Sequence, residues 1–227
     1  LLGAAEKVIE KGRRIAAHNL EAAGIDIEFS AGRFAVAGTD RGLDMKEVAA
    51  LAFQPATLPP GMESGLNGFD TFKSPGPTFP NACHVSEVEI DPETGVVTVL
   101  RYLAVDDVGT VMNPLLLKGQ LHGGIVQGIA QILGERIVMD ESGQVLTGSF
   151  MDYHMPRADE YPSFEIESHI VPSPRNPLGI KGAGEAGTVG AVACLASAIH
   201  DALAPLGISS IDFPATPERI WQAVKAA

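Results

Sequence analysis

The sequence predicts an α+β fold, a mixed sheet with packed helices, and three features of its patterning point there. Helix-like and strand-like segments alternate irregularly along the chain. The strands come in pairs across turn sequences, as in hairpins, rather than singly between helices as a doubly wound parallel sheet requires. With 25 glycines and 16 prolines among 227 residues, many tight turns and irregular connections are needed.

Residues 4–23 have helical composition. Val8, Gly12, Ile15 or Ala16, and Leu20 recur at helical spacing, while Glu6, Lys7, Glu10, Lys11, Arg13 and Arg14 fall outside that stripe. Ile27–Phe29 and Arg33–Val36 flank Ser30-Ala31-Gly32 and read as a short hairpin. Asp44 with Glu47 forms a capping-box pattern that opens a helix to about Phe53. Residues 54–80 hold six prolines and no period, a long irregular connection of the kind that serves a function or wraps a partner. It divides the chain into two candidate subdomains, about 1–80 and 81–227. His84–Ile90 and Val96–Val105 alternate across Asp91-Pro92-Glu93-Thr94-Gly95, a good hairpin turn. Asn113-Pro114 provides an N-cap followed by proline at the first helical position, and the helix runs to about Leu133. A short hairpin pairs 136–138 with 145–147, and Phe164–Ile170 alternates as a strand. Pro172–Gly187 reads as a loop, Thr188 to about Leu203 as an apolar helix, and Thr216-Pro217-Glu218 caps a terminal helix carrying Trp221.

Composition narrows the function. Lys and Arg number 16 against 28 Asp and Glu, a net charge of −12, which argues against a nucleic-acid backbone or an anionic membrane as main partner. Cys83 and Cys194 give neither a disulfide framework nor paired metal-ligand spacing, and fit a reducing compartment. No run reaches the length of a bilayer span, and no signal peptide opens the chain. Leu1–Lys7 reads as the inside of a helix, so a piece of a longer polypeptide is expected.

Two segments concentrate candidate chemistry. On the helix from 114 to 133, Leu117, Leu121, Ile125, Ile129 and Ile132 form an ordinary core stripe. The other side carries Gln120, Gly123, Gly124, Gln127 and Gln131 without a charge. Glycine inside a helix costs roughly 1 kcal/mol relative to alanine, and glutamine offers both donor and acceptor. Such a face suits a flat polar ligand or another polypeptide segment; close helix packing is the plainer reading. The second segment is Lys181-Gly182-Ala183-Gly184-Glu185-Ala186-Gly187-Thr188. Its G-x-G-x-x-G spacing suggests a dinucleotide loop, but no clean strand precedes it and no second parallel strand bearing a ribose-binding acid follows. Glu185 is the stronger candidate. Flanking glycines expose its carboxylate, the helix dipole favours the ionised form, and a desolvated pocket would make it a usable base; the alternative is that it only caps the helix. Asp106 and Asp107 read as strand-end caps. His84, His122, His154 and His169 show no metal-ligand spacing, so no protein-held metal is expected.

In order along the chain stand Val105-Asp106-Asp107-Val108-Gly109, Asn113-Pro114, Gly119-Gln120-Leu121-His122-Gly123-Gly124-Ile125-Val126-Gln127-Gly128, Gly148-Ser149-Phe150-Met151-Asp152-Tyr153, Pro172-Ser173-Pro174 and Lys181–Thr188. Together they resemble the C-terminal part of the molybdopterin-binding large subunit of molybdenum hydroxylases. The branch resembled is that of aerobic carbon monoxide dehydrogenase large chains, within the xanthine dehydrogenase and aldehyde oxidase family, and the resemblance runs over essentially the whole chain. It implies an oxidoreductase acting on carbon monoxide, an aldehyde or an N-heterocycle with water as oxygen source. Glu185 would be the base that takes a proton from the molybdenum-bound hydroxyl. Gln120, Gly123, Gly124, Gln127, Lys181, Gly182, Ala183, Gly184, Ala186 and Gly187 would contact or line a molybdopterin cofactor, in its cytosine dinucleotide form, with copper beside molybdenum in a carbon monoxide oxidiser. The pterin dithiolene, not side chains, would hold the metal. The resemblance also implies iron–sulfur and FAD-binding partner subunits, a cytoplasmic location for the parent enzyme, and further cofactor-binding segments upstream of Leu1. The isolated chain is then expected to bind no cofactor tightly. The readings outside this family are a dinucleotide-dependent oxidoreductase and a non-catalytic interaction domain.

Overall fold

The computed structural model describes residues 1–227, which separate into two compact units, Leu1–Lys73 and Ser74–Ala227.

In the first unit, helix α1 (Leu2–Leu20) ends where Glu21 adopts a left-handed conformation and the N–H of Ala22 bonds back to Ala17. That stop comes earlier than composition suggests. Strands β1 (Ile27–Ser30) and β2 (Arg33–Val36) form the expected hairpin, and β3 (Gly42–Asp44) extends the sheet antiparallel to β2. The third strand was not expected: it is three residues long, and its last, Asp44, also caps α2 (Met45–Ala52). That capping box is complete, with Glu47 N–H donating to Asp44 Oδ1 at 2.8 Å and Asp44 N–H to Glu47 Oε2 at 2.7 Å. Ile15, Ala16, Ile27, Phe34, Val48 and Ala52 make the core. Gly12 of α1 leaves room for the Phe34 ring, which would stand 2.5 Å from a Cβ there.

The second unit is built on β4 (Asn81–Ile90) and β5 (Val97–Asp107), antiparallel, with β6 (Glu165–Ser168) added parallel to β5. The sheet is therefore mixed, and β5, its central strand, runs on to Asp106 and Asp107. The turn before β5 closes on Asp91, which accepts from the N–H of Glu93 and the hydroxyl of Thr94, while Gly95 takes a φ of 76°. Helix α3 (Pro114–Leu133) starts as expected, with Leu116 N–H donating to Asn113 Oδ1 at 3.1 Å. The 136–147 segment is a narrow turn with one β-bridge, Met139 to Val145, rather than two full strands. Helix α4 (Ala186–Leu203) packs on α3 and on β4, and α5 (Pro217–Ala226), capped by Thr216, contributes Ile220. Tyr102, Ala104, Ile125, Ile129, Ala191, Leu195, Ile199 and Ile220 form one continuous core. With the turn that follows it, α4 gives a stretch, Ala186–Leu206, of 21 residues and mean hydropathy 1.6, long and apolar enough by composition to cross a membrane. This corrects the expectation that no run reaches that length. One stripe of the helix, Ala191, Leu195, Ile199 and Leu203, is buried in the core of the unit.

Candidate active site

The site is built where the C-terminal end of β5, the start of α4 and one face of α3 converge. Beyond β5, Gly109 and Ile180 form a β-bridge, and the N–H groups of Thr110 and Ser173 both donate to Gly179 O at 3.0 Å. Lys181 N–H donates to Val108 O at 2.8 Å, and Gly182 N–H to Thr78 O at 3.0 Å. From the other side, Gln120 Nε2 of α3 donates to Gly184 O at 2.8 Å. The segment from Gly179 to Gly184 is thus tied at successive backbone groups. It is an ordered cradle edge rather than a free loop.

Asp107 anchors this edge. Its Oδ1 accepts from Gly109 N–H at 2.9 Å and Val171 N–H at 3.1 Å, and its Oδ2 pairs with the Lys181 ammonium. Burial alone would raise this carboxyl; the Lys181 ammonium and the two N–H donors outweigh it and hold the group at about 2. The sequence reading of Asp107 as a cap was incomplete, because the partner that gives it a second role lies 74 residues away. Beside it Asp106 is fully buried with His84 Nε2 3.5 Å from its carboxylate, and His84 Nδ1 lies 2.7 Å from the Tyr102 hydroxyl. His84 and Tyr102 are thus bonded in the core while the two Asp106 oxygens have no hydrogen-bond partner, so the reading of Asp106 as a strand-end cap does not hold, and burial pushes the Tyr102 hydroxyl well above its ordinary range.

The candidate glycines divide into two groups. A Cβ on Gly124 would lie 2.9 Å from Thr188 N, one on Gly128 2.7 Å from Ala191 Cβ, and one on Gly187 2.6 Å from Leu121 O. These three let α3 and α4 cross closely, and the Thr188 hydroxyl donates to Gly124 O at 3.0 Å across the crossing. Gly124, Ala186 and Gly187 are accordingly buried and face protein, not solvent. In contrast, nothing lies within 4 Å of where a Cβ would stand on Gly119, Gly123 or Gly184, and none of them has a positive φ. Neither packing nor backbone conformation accounts for these glycines. Gly182 falls between the groups, 3.4 Å from Thr78 O, and Ala183 is half-buried.

Glu185 sits at the N-cap position of α4, but its side chain accepts no N–H from the helix and it is exposed. The reading in which it merely caps α4 therefore has no hydrogen bond behind it. Its carboxylate is in none of the ion pairs of the structure. Gln127 is also exposed, its Oε1 3.4 Å from the Thr188 hydroxyl. Gln120, Gln127, Gly123, Gly184 and Glu185 thus belong to one open surface formed by α3 and the head of α4. Gly119, quoted in the motif before Gln120 but not counted among the candidate site residues, is exposed and open in the same way. The G-x-G-x-x-G spacing does not build a dinucleotide site, since the segment before it forms only a single bridge and no strand follows α4.

The sequence pattern of the molybdopterin cofactor-binding domain family matches residues 1–162. The chain belongs to this family, within the molybdenum hydroxylases. A molybdenum hydroxylase relative, the carbon monoxide dehydrogenase large chain of Hydrogenophaga pseudoflava, is 38% identical over 98% of this chain and 28% of its own length. The nicotine 6-hydroxylase large subunit of Paenarthrobacter nicotinovorans is 37% identical, with the same two coverages. The crystal structure of a Cu,Mo-CO dehydrogenase in its carbon monoxide reduced state superposes with a TM-score of 0.89 at 38% identity, again over 98% of this chain and 28% of the other. That match covers the α+β architecture end to end. The chain spans a little over a quarter of the length of the relatives it matches.

The residues present fit a molybdopterin. Three glycines leave space that the chain itself does not fill, amide groups of Gln120 and Gln127 border it, and one uncommitted carboxylate stands at its edge. No group of three or more His, Cys, Asp or Glu side chains in the structure is placed to hold a metal ion.

Proposed function

We propose that this chain supplies the catalytic base and one wall of the cofactor site in a molybdenum hydroxylase that oxidises carbon monoxide, an aldehyde or an N-heterocycle with water as oxygen source. The observation that carries this reading is Glu185: an exposed carboxylate at a helix N-terminus, bound to neither helix nor cation, beside glycines whose absent side chains leave room for a ligand. A bound molybdenum–molybdopterin group would supply the two-electron acceptor and the activated water; the cytosine dinucleotide form is our reading, as is copper for a carbon monoxide oxidiser. The chain's own residues do the rest. Glu185 takes a proton at its carboxylate. Gln120, holding Gly184 O, fixes the backbone one residue before that carboxylate, so the base and the glutamine face move as one piece. Gln127 offers hydrogen-bonding groups to the pterin and the bare surfaces of Gly123 and Gly184 give it room, while the α3–α4 crossing sets their spacing.

The parent enzyme in this reading pairs with iron–sulfur and FAD-binding subunits and works in the cytoplasm or at the inner face of the membrane. One wall of a cavity leaves part of a ligand's polar surface unmatched, so the chain alone binds molybdopterin weakly and turns nothing over. The test is metal analysis of the parent complex beside this chain, with turnover measured for Glu185→Gln. Molybdenum in the complex but not in the chain, and a loss of kcat of at least about a hundredfold in Glu185→Gln at unchanged molybdenum content, is the expected result. An intact complex with iron–sulfur and flavin but no molybdenum would leave the non-catalytic interaction domain standing instead.

A further inference from the structure

Lys181 and Glu185 lie four residues apart at the two ends of the glycine segment, close enough in sequence to pair. Four residues reach at most about 14 Å when extended, and Gly182 and Gly184 permit the chain to fold back, so an ammonium and a carboxylate on these side chains are within mutual reach. In the structure they do not meet. The Lys181 ammonium is turned to Asp107 Oδ2, in a pair whose side chains are only 11% and 10% exposed, and Glu185 is left without a cation. The other charged groups on surrounding elements do not take its place. Asp106 of β5 and His84 of β4 face each other, and the Arg175 guanidinium donates to Pro77 O. Lys118 and His122 of α3 and His169 after β6 form no ion pair with Glu185, and residues 74–81 carry no charge.

We propose that Asp107 is a positioning residue that sequesters Lys181, keeping the Glu185 carboxylate free of a cationic partner. The inference rests on the reading of Glu185 as base: a carboxylate paired with an ammonium is a weaker proton acceptor than a free one. The Asp107 carboxylate separates its two tasks by atom. Oδ1 holds the N–H groups of Gly109 and Val171, and Oδ2 holds Lys181 alone. Asp107→Asn keeps a carbonyl oxygen for the two backbone donors and places an amide NH2 against the ammonium. The strand end stays tied while Lys181 is released.

The experiment is the pH dependence of kcat/KM for the molybdenum-loaded enzyme carrying this chain, as wild type, Asp107→Asn and Asp107→Asn/Lys181→Met. In Asp107→Asn the freed lysine captures Glu185, the acid limb moves down by about one pH unit and the rate on the plateau falls about tenfold. In the double variant, with no lysine to release, the limb returns to its wild-type position. An unmoved limb in Asp107→Asn, or a displacement that persists in the double variant, overturns the proposal. A second readout needs no cofactor or turnover. In this chain labelled with [15Nζ]lysine, the Lys181 signal, assigned by Lys181→Met, is unaffected by Glu185→Gln in the wild-type background and shifts with it in the Asp107→Asn background. Absence of that shift also overturns the proposal. If the shift appears while Glu185→Gln retains full turnover, the sequestration stands and the base assignment falls.

Discussion

Asp107 is a carboxylate that its surroundings would neutralise if they did not also supply three donors. Its folded value of about 2 lies below the ordinary 3.8. The ionised form therefore favours folding at pH values above about 4, and the contribution disappears as pH falls from there toward 2. The difference corresponds to about 2 kcal/mol. We expect acid unfolding, followed through the fluorescence of the single tryptophan, Trp221, to lose part of its steepness between pH 4 and 2 in Asp107→Asn. An unchanged profile would mean that the pair with Lys181 does not stabilise the fold. The contrast with Glu185 is instructive at the same scale. An aspartate at a strand end before a turn reads as a cap, and nothing local reveals a lysine far along the chain that completes it. The exposure of Glu185 was legible because Gly182 and Gly184 precede it at short spacing and Gly187 follows it.

At the scale of elements, the two groups of glycines predict opposite responses to the same substitution. Gly123→Ala adds a methyl group where nothing stands and removes the helix penalty of glycine, so stability rises by up to about 1 kcal/mol while molybdopterin occupancy of the parent enzyme falls. Gly124→Ala and Gly128→Ala drive a methyl group into α4 and lower stability by about 1–3 kcal/mol. Thermal unfolding of the three variants distinguishes these cases, and a stability loss in Gly123→Ala would contradict the open cradle. The sequence reading had placed Gly123 and Gly124 on one face together. They are one residue apart, about 100° around a helix, which is enough to send one to solvent and the other to a neighbour. Hairpins and caps were legible because Asp44, Asn113, Thr216 and the Asp91–Gly95 turn act within a few residues. The addition of β6 parallel to β5 was not, because its register depends on residues some sixty positions apart, Leu103 and Glu165.

Across the whole molecule, the order in which parts meet matters as much as where they end. Helix α4 closes on β4 across more than a hundred residues, as the contact between Ser86 and Cys194 shows. Until α3 and β4 pack on it the apolar stripe of α4 is uncovered, and the segment has the length and hydropathy of a membrane span. An unfolded chain therefore exposes an apolar segment long enough to associate with lipid, and folding hides it between α3 and the sheet. Chain diluted from denaturant into phospholipid vesicles is expected to be captured in proportion to its unfolded lifetime, whereas folded chain added to the same vesicles stays in solution; flotation of the two samples measures the difference. Substitutions that disturb the packing of α3 on α4, such as Gly128→Ala, would then reduce yield by diverting chains to lipid or chaperone as well as lowering equilibrium stability.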